Sequence, residues 1–356
     1  MSDNSSLSPI SYRRVVEPLA AASSRVGLCE LVERLDDVQR LLCSDLSTLE
    51  AELQRLSHLS QNGGDCARHA AAHLLSRPGK RIRPLCVLLG AQLSGLAIDE
   101  GVHDVAIACE LVHAATLLHD DVIDEGTERR GASAARVVYG NSASILAGDY
   151  LLVEALARVT RAAEAHGADR GRLLHSLLDT IVQMVAAEAL QLEQRGRFAP
   201  SRRTYLEIID GKTASLFRWA LVSAALLGDM PERSRDALGR VGTALGRAFQ
   251  LVDDVLDLEG DPQAVGKDLL ADVAQGKLTW PLIVAVERDD KLAHVLADGD
   301  LAEIVARVRA SGAVEETRRY ADAHRHEALR ALALLPESSA RRALAVVVNT
   351  AVDRYA

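Results

Sequence analysis

The sequence predicts an all-α protein with a single helical body. Of its 356 residues 48% are hydrophobic and 3% aromatic, and strong helix formers such as alanine, leucine, arginine and glutamate dominate. Short alternating β-branched segments bounded by turn dipeptides, the pattern of a β protein, do not recur. Because no linker or long repeat divides the chain, we expect one catalytic domain over residues 26–356 after a flexible N-terminus over 1–25.

Apolar residues recur at helical spacing, and prolines and glycines separate the helices. The N-terminal half predicts long helices over about residues 31–56, 103–123, 141–165 and 172–197. Pro200 and Pro231 precede two more, the first running through Lys212 to about Leu227. The charged segment 260–272 is predicted to be a loop, either simply solvated or a lid that closes on anions. Residues after Pro281 form shorter helices without reactive groups and are predicted to be scaffold.

Residues 117–131, LLHDDVIDEGTERRG, carry a first cluster of acids at the end of an apolar helix. Asp120 and Asp124 are expected one turn apart, about 6 Å along the axis, with Asp121 beside them. Like charges at this spacing repel, whereas hard divalent cations prefer carboxylate oxygens. For a single motif of this length, a solvated acidic helix end is the favoured explanation.

A second copy of the motif favours a metal site. Asp253, Asp254 and Asp257 repeat the same spacing inside another apolar helical segment, where three acids are poorly explained as an exposed face. Two such helices facing each other would hold a cluster of divalent cations.

Basic residues suited to a diphosphate occur in short groups elsewhere in the chain. The formal net charge of −9 argues against a nucleic-acid surface, so we expect a small anionic substrate. Glu188 and Gln191 lie in apolar surroundings, where mutual hydrogen bonding and a substrate role are equally plausible. The basic groups are Lys80-Arg81-Ile82-Arg83, Arg129-Arg130, Gly211-Lys212-Thr213 and Gly266-Lys267-Asp268.

The five cysteines form no CxxC pair and no metal-ligand spacing, which indicates reduced thiols and a cytoplasmic protein. The N-terminus has no apolar stretch typical of a signal peptide, and no segment is predicted to span a membrane.

Seven segments resemble the trans-isoprenyl diphosphate synthases, also called polyprenyl synthetases. They cover about residues 74–281 and are GKRIRP, LLHDDVIDEGTERRG, GDYL, EALQL, KTASLF, FQLVDDVLD and GKD…GKLTWP, with Trp280 where the family more often has leucine. The resemblance implies a single-domain isoprenoid-synthase-type helical bundle around a central active-site cavity, and a homodimer. It also implies three Mg²⁺ ions per active site, replaceable by Mn²⁺.

The resemblance assigns roles to residues of these segments. The metal ligands are Asp120, Asp121, Asp124, Asp253, Asp254 and Asp257. Isopentenyl diphosphate is bound by Lys80, Arg83, His113 and Arg130. The allylic diphosphate is bound by Arg129, Lys212, Thr213, Gln250 and Lys267, of which Lys212, Thr213 and Gln250 are the catalytic residues.

The implied activity is the head-to-tail condensation of isopentenyl diphosphate with an allylic diphosphate, and the product passes to membrane enzymes. Thr116, Ala115 and Val112 lie about 6, 7 and 12 Å below Asp120 along the helix, and all are small or medium in size. By resemblance this predicts a long-chain product, with a geranylgeranyl or farnesyl diphosphate synthase as the alternative. A terpene cyclase and a non-catalytic regulatory subunit are the remaining alternatives. Both are disfavoured, because cyclases generally have a mixed Asn/Ser/Glu second motif and a regulatory subunit is expected to have lost an acidic motif.

Overall fold

Helices make up almost all of the computed structural model, which describes residues 29–58, 65–199, 201–259, 271–298 and 301–353. The all-α prediction is confirmed. The predicted boundary near residue 25 and the predicted allylic ligand Lys267 lie outside these residues.

The N-terminal half contains seven of the helices described. Side-chain carboxylates of Asp65, Asp99 and Asp169 accept hydrogen bonds from backbone N–H groups at the starts of the second, fourth and seventh of them, which otherwise lack partners. The helices are α1 (Cys29–His58), α2 (Cys66–Leu75), α3 (Ile82–Leu93), α4 (Glu100–Ile123), α5 (Ala135–Tyr139), α6 (Asn141–Ala165) and α7 (Arg170–Gln194).

The C-terminal half continues the bundle, and its longest helix carries the second acidic motif. Its helices are α8 (Arg202–Ile209), α9 (Ser215–Leu227), α10 (Glu232–Glu259), α11 (Ala271–Ala274), α12 (Trp280–Arg288), α13 (Leu292–Asp298), α14 (Leu301–Ala310), α15 (Ala313–Leu332) and α16 (Ser339–Val352).

A π-helical turn over Asp210–Ala214 joins α8 to α9, where the sequence predicted one uninterrupted helix. Glycines allow its neighbours to approach closely. A Cβ on Gly211 would lie 2.6 Å from the Cβ of Ala187 on α7, and one on Gly246 of α10 would lie 2.4 Å from the Cα of Ala214. The turn is therefore held between α7 and α10. Such turns inside helices occur frequently at functional sites.

The helices enclose two apolar clusters. The larger is built mainly from α3, α4, α6 and α9, with fully buried side chains such as Leu88 and Leu111, and the smaller from α10, α12 and α15 around Trp280. α4 packs along α6, while α10 packs against both α9 and α15. The two helices that bear the acidic motifs therefore run through the interior, and their C-terminal ends are fixed by packing on several sides.

One short hairpin, which the sequence did not predict, lies after the first acidic motif. Glu128–Arg129 and Ala132–Ser133 form the antiparallel strands β1 and β2. The two turn residues Arg130 and Gly131 both have positive φ angles, 52° and 71°, as a tight two-residue hairpin turn requires. Strands of two residues are too short to produce a detectable alternation in the sequence.

Arg81 is fully buried at the start of α3, although the sequence groups it with phosphate-binding residues. Its Nε donates to Glu50 Oε1 at 2.7 Å, and its Nη1 contacts Glu110. Burial alone would raise the pKa of Glu110, but the charges of Arg81 and Arg130 outweigh it and lower this pKa below its ordinary value. Arg81 therefore anchors α3 to α1 and α4 through a buried ion network.

Replacing Arg81 with alanine leaves Glu50 and Glu110 without this buried cation. We expect the free energy of unfolding to fall by about 3–5 kcal/mol. The control is Arg55→Ala, which removes a bidentate pair with Glu52 from a side chain that is 58% exposed and should cost about 0–1 kcal/mol. Urea unfolding midpoints at one protein concentration measure both. Similar small shifts in the two variants would show that the network contributes little.

Candidate active site

Lys212, on the π-helical turn, lies against the first acidic motif. Its Nζ is 3.5 Å from Asp120 Oδ2 and 2.9 Å from Gln191 Oε1, and it also contacts the carboxylate of Glu188. Burial opposes its charge, but Asp120 and Glu188 raise the pKa of Lys212 above its ordinary value. The sequence left open whether Glu188 and Gln191 bond to each other or bind substrate. In the structure both contact Lys212.

Thr213, the next residue, connects the turn to the second acidic motif. Its hydroxyl donates to Gln250 Oε1 at 2.8 Å, and Gln250 Nε2 donates in turn to Asp254 Oδ1 at 3.0 Å. Two adjacent residues therefore reach both motifs, Lys212 through Asp120 and Thr213 through Gln250.

Asp254 is buried and receives several protein donors. The hydroxyl of Tyr205 and the backbone N–H of Trp280 donate to its Oδ2 at 2.6 and 3.0 Å. Burial raises the pKa of Asp254 to about 7, although these hydrogen bonds favour the ionised form. In this structure both carboxylate oxygens of Asp254 accept hydrogen bonds from protein groups, one of them from Gln250. The role of Asp254 as a metal ligand therefore stays a prediction. Asp253 and Asp257 of the same motif are only partly buried.

Each carboxylate of the first motif faces at least one cation. Asp121 accepts from Arg129 Nε at 2.8 Å, and Asp124 accepts from Lys277 Nζ at 2.6 Å and contacts Arg195 as well. Asp124 follows the last residue of α4 and is one turn from Asp120, as the sequence predicted.

The acids of this motif differ in the direction of their pKa shifts. Burial raises the pKa of Asp120. The positive charge of Lys212 lowers this pKa, but the negative charges of Glu188 and Asp124 raise it, and the net shift is upward. Burial also raises the pKa of Asp121 despite Arg129. At Asp124 burial acts in the same direction, but Lys277 and the other cations outweigh it and lower the pKa.

Among the described residues no three histidine, cysteine, aspartate or glutamate side chains converge in a metal-binding arrangement. The carboxylates of the first motif instead form ion pairs with lysine and arginine side chains. The chemistry of these donors nevertheless fits a hard divalent cation, because carboxylate oxygens are the ligands that Mg²⁺ prefers. The raised pKa of Asp120 reflects burial beside like charges, and a bound cation would relieve that repulsion.

A second basic group surrounds Glu110. Arg130 donates to Glu110 Oε1 at 3.4 Å, and the Arg83 guanidinium lies 4.5 Å from the centre of the Phe217 ring. Burial lowers the pKa of Arg83. Burial and the charge of Arg83 lower the pKa of His113 well below its usual range, so this imidazole is neutral. Three predicted isopentenyl-diphosphate ligands thus share one electrostatic environment, while Lys80 is exposed.

The residues beneath Asp120 belong to the interior. Ala115 and Val112 are fully buried. Thr116 is partly buried, and its hydroxyl donates to the carbonyl of His113 at 2.8 Å. α4 therefore presents small side chains to the core below the first motif.

Sequence reasoning missed two residues that contact the first motif. Lys277 was present only as a letter of the segment GKLTWP and was given no role, and Arg195 was not singled out. The segment GKLTWP was a signal for Lys277, whereas no motif indicated Arg195.

Comparisons with known proteins find similar sequences and similar structures. A family model described as Polyprenyl synthetase matches residues 65–308. The all-trans-nonaprenyl-diphosphate synthase (geranyl-diphosphate specific) of Rhodobacter capsulatus is 35% identical over 290 residues, covering 79% of this chain and 87% of that protein. The octaprenyl diphosphate synthase of Escherichia coli K12 is 31% identical over 333 residues, covering 90% and 99%. A crystal structure of polyprenyl synthase from Caulobacter crescentus CB15, complexed with calcium and isoprenyl diphosphate, superposes with a TM-score of 0.80 at 32% identity, covering 90% and 98%.

Proposed function

The chain belongs to the polyprenyl synthetase family, and on that premise we propose that it is a trans-prenyltransferase that makes a long-chain all-trans polyprenyl diphosphate. It condenses isopentenyl diphosphate head to tail with an allylic diphosphate and releases diphosphate. The observation that carries the proposal is the π-helical turn, from which Lys212 reaches Asp120 while Thr213 reaches Gln250.

The allylic diphosphate binds between the two acidic motifs, where Arg129 and Lys212 bind its charge, and the sequence resemblance gives Lys267 the same role. The carboxylates of the two acidic motifs would hold Mg²⁺ or Mn²⁺, which would supply positive charge to balance the charge that develops on the departing diphosphate. These ligands are Asp120, Asp121, Asp124, Asp253, Asp254 and Asp257. Lys212 adds a fixed cation from the π-helical turn. The oxygens of Thr213 and Gln250 face the allylic carbocation, so preorganised dipoles stabilise the positive charge.

Isopentenyl diphosphate binds in the basic group of Lys80, Arg83, His113 and Arg130. The allylic carbon–oxygen bond breaks, and its electron pair leaves with the diphosphate. The double bond of isopentenyl diphosphate then forms the new carbon–carbon bond, and a proton passes to the released diphosphate. Phe217 and Phe249, whose rings are 5.4 Å apart, add an apolar wall beside Arg83 that disfavours water, which would otherwise capture the carbocation.

Radiolabelled isopentenyl diphosphate distinguishes the three classes of protein that the sequence left open. We expect incorporation of label into an apolar product only when an allylic primer and Mg²⁺ are both present. A terpene cyclase would release diphosphate from the primer alone without incorporating label, and a non-catalytic subunit would do neither. Either of those outcomes would contradict the proposal.

Product length should depend on Ala115, which is buried one turn and a residue below Asp120. Ala115→Phe adds a ring where the growing tail is expected to pass, so the main product should lose isoprene units. Overpacking should also lower the free energy of unfolding by about 1–3 kcal/mol. Chromatography of the dephosphorylated products measures the first effect, and urea unfolding measures the second. A folded variant with an unchanged product distribution would remove Ala115 from the tail path.

We further propose that a second copy of the chain covers an exposed apolar face on α6 and α7. Both α4 and α7 are long and apolar enough to cross a membrane by length and composition, but 78% of the apolar window of α4 is buried and only 28% of that of α7. A homodimer would remove this face from water. We also propose, from the sequence and its resemblance, that the protein is cytoplasmic and passes its product to membrane enzymes. The exposed side chains are Ile145, Leu146, Val153, Leu178, Val182, Val185 and Leu192.

Charges on this face should prevent association. Val182 and Val185 are each 65% exposed, so their replacement by glutamate leaves the core intact. We expect the double variant Val182→Glu/Val185→Glu to sediment as a monomer and the wild type as a dimer. Arg330→Glu, an exposed charge change on α15, serves as the control and should remain dimeric. A dimeric double variant would place the interface elsewhere.

A further inference from the structure

Two separate segments meet at Asp124. Arg195 follows the last residue of α7, and Lys277 precedes α12, yet Arg195 Nη2 contacts one oxygen of Asp124 while Lys277 Nζ lies 2.6 Å from the other. The backbone N–H of Gly196 also donates to the carbonyl of Gly276 at 2.9 Å. Two cations from distant parts of the sequence thus share one carboxylate.

The charges in this cluster balance. It contains the carboxylates of Asp120, Asp124 and Glu188, which contact the cations Lys212, Lys277 and Arg195, so three negative charges face three positive ones. A divalent cation that bound these carboxylates would displace the side-chain cations. The displaced cations would then lie beside the site where a metal-bound diphosphate sits.

Arg195 has the capacity to bind such an anion. Its Nε is buried and makes no hydrogen bond within the described part of the chain, so a donor remains for a ligand. The side chain is 31% exposed and can reorient when Asp124 is taken by a metal. A guanidinium also matches the geometry of phosphate oxygens better than an ammonium does, because it presents parallel donors.

We propose that Arg195 is a further diphosphate-binding residue, which Asp124 holds in place until a divalent cation occupies that carboxylate. The inference rests on the proposed function, since it concerns the diphosphate of the same site. It gives Arg195 two opposite effects. Without substrate Arg195 competes with Mg²⁺ for Asp124, whereas with Mg²⁺ bound it strengthens the binding of diphosphate.

Titration calorimetry on the full chain tests both effects with Mg²⁺ alone and with inorganic pyrophosphate at saturating Mg²⁺. In Arg195→Gln the Kd for Mg²⁺ should fall about two- to fivefold, the range for loss of a partly exposed ion pair. The Kd for pyrophosphate should rise about ten- to a hundredfold, because a charge-assisted hydrogen bond is lost. Arg197→Gln is the matched control, because Arg197 is an exposed arginine two residues away, and both constants should stay unchanged.

The opposite signs separate this role from structural damage. Weaker binding of both Mg²⁺ and pyrophosphate by Arg195→Gln would mean that Arg195 only supports the site, and this overturns the inference. Unchanged pyrophosphate binding would overturn it as well. In either case wild-type binding and turnover leave the proposed function standing. A wild-type chain that binds no pyrophosphate with Mg²⁺ would overturn the proposed function together with the inference.

Discussion

Asp120→Ala should lower kcat by at least about a hundredfold while the fold survives. Asp120 is the acid of the first motif that contacts Lys212, and loss of a group that stabilises transition-state charge in a buried site commonly costs 10²–10³ in rate. Burial raises the pKa of Asp120 above its ordinary value, so the ionised carboxylate makes the folded chain less stable relative to the unfolded one. Removing it should therefore leave the free energy of unfolding unchanged or slightly higher.

The rate should also vanish when EDTA removes divalent cations and should return with Mg²⁺ or Mn²⁺. Asp253→Ala should behave like Asp120→Ala, because it removes an acid from the second motif. Glu125→Ala is the control, since its side chain is exposed one residue after Asp124, and its rate should be nearly normal. Near-normal turnover by a purified Asp120 or Asp253 variant would refute the metal assignment.

Lys80→Ala and Arg83→Gln should raise the KM for isopentenyl diphosphate about ten- to a hundredfold, with a smaller effect on the allylic primer. Each change removes one charge-assisted hydrogen bond, worth about 1.5–3 kcal/mol. Arg83 interacts electrostatically with Glu110 and with Asp253 of the second motif, whereas Lys212 contacts Asp120 of the first motif. Glutamine keeps the aliphatic part of the Arg83 side chain and removes the charged guanidinium that lies over Phe217, so it disturbs the packing less than alanine would.

Steady-state kinetics with each substrate varied in turn give both KM values. The allylic KM of the same variant is an internal control for damage to the whole site. Equal increases for both substrates would show that the two diphosphate pockets have been assigned to the wrong residues.

Local patterns explain why much of the fold was predictable. The helix expected over residues 141–165 is observed as α6 with those bounds, because Gly140 and Gly167 flank one continuous apolar periodicity. The spacing of Asp120 and Asp124 follows from helix geometry alone, and the structure retains it.

Features that depend on distant residues were not predictable from the same patterns. Arg195 and Lys277 are 71 and 153 residues from Asp124, and nothing in a local sequence window couples them. The π-helical turn depends on the close approach of Gly211 to α7, which is a property of packing. Arg81 was grouped with the phosphate ligands but forms a buried ion pair. An arginine in a short basic segment gives no indication in the sequence of which of these two roles it has.

Chain length of the wild-type product tests the central claim most directly. Purified protein would be incubated with Mg²⁺, radiolabelled isopentenyl diphosphate and an allylic primer, and the dephosphorylated products separated by reversed-phase chromatography. The proposed function predicts a main product longer than geranylgeraniol, in keeping with the small residues Ala115, Val112 and Thr116 below the first acidic motif. Products of four or fewer isoprene units alone would contradict a long-chain synthase.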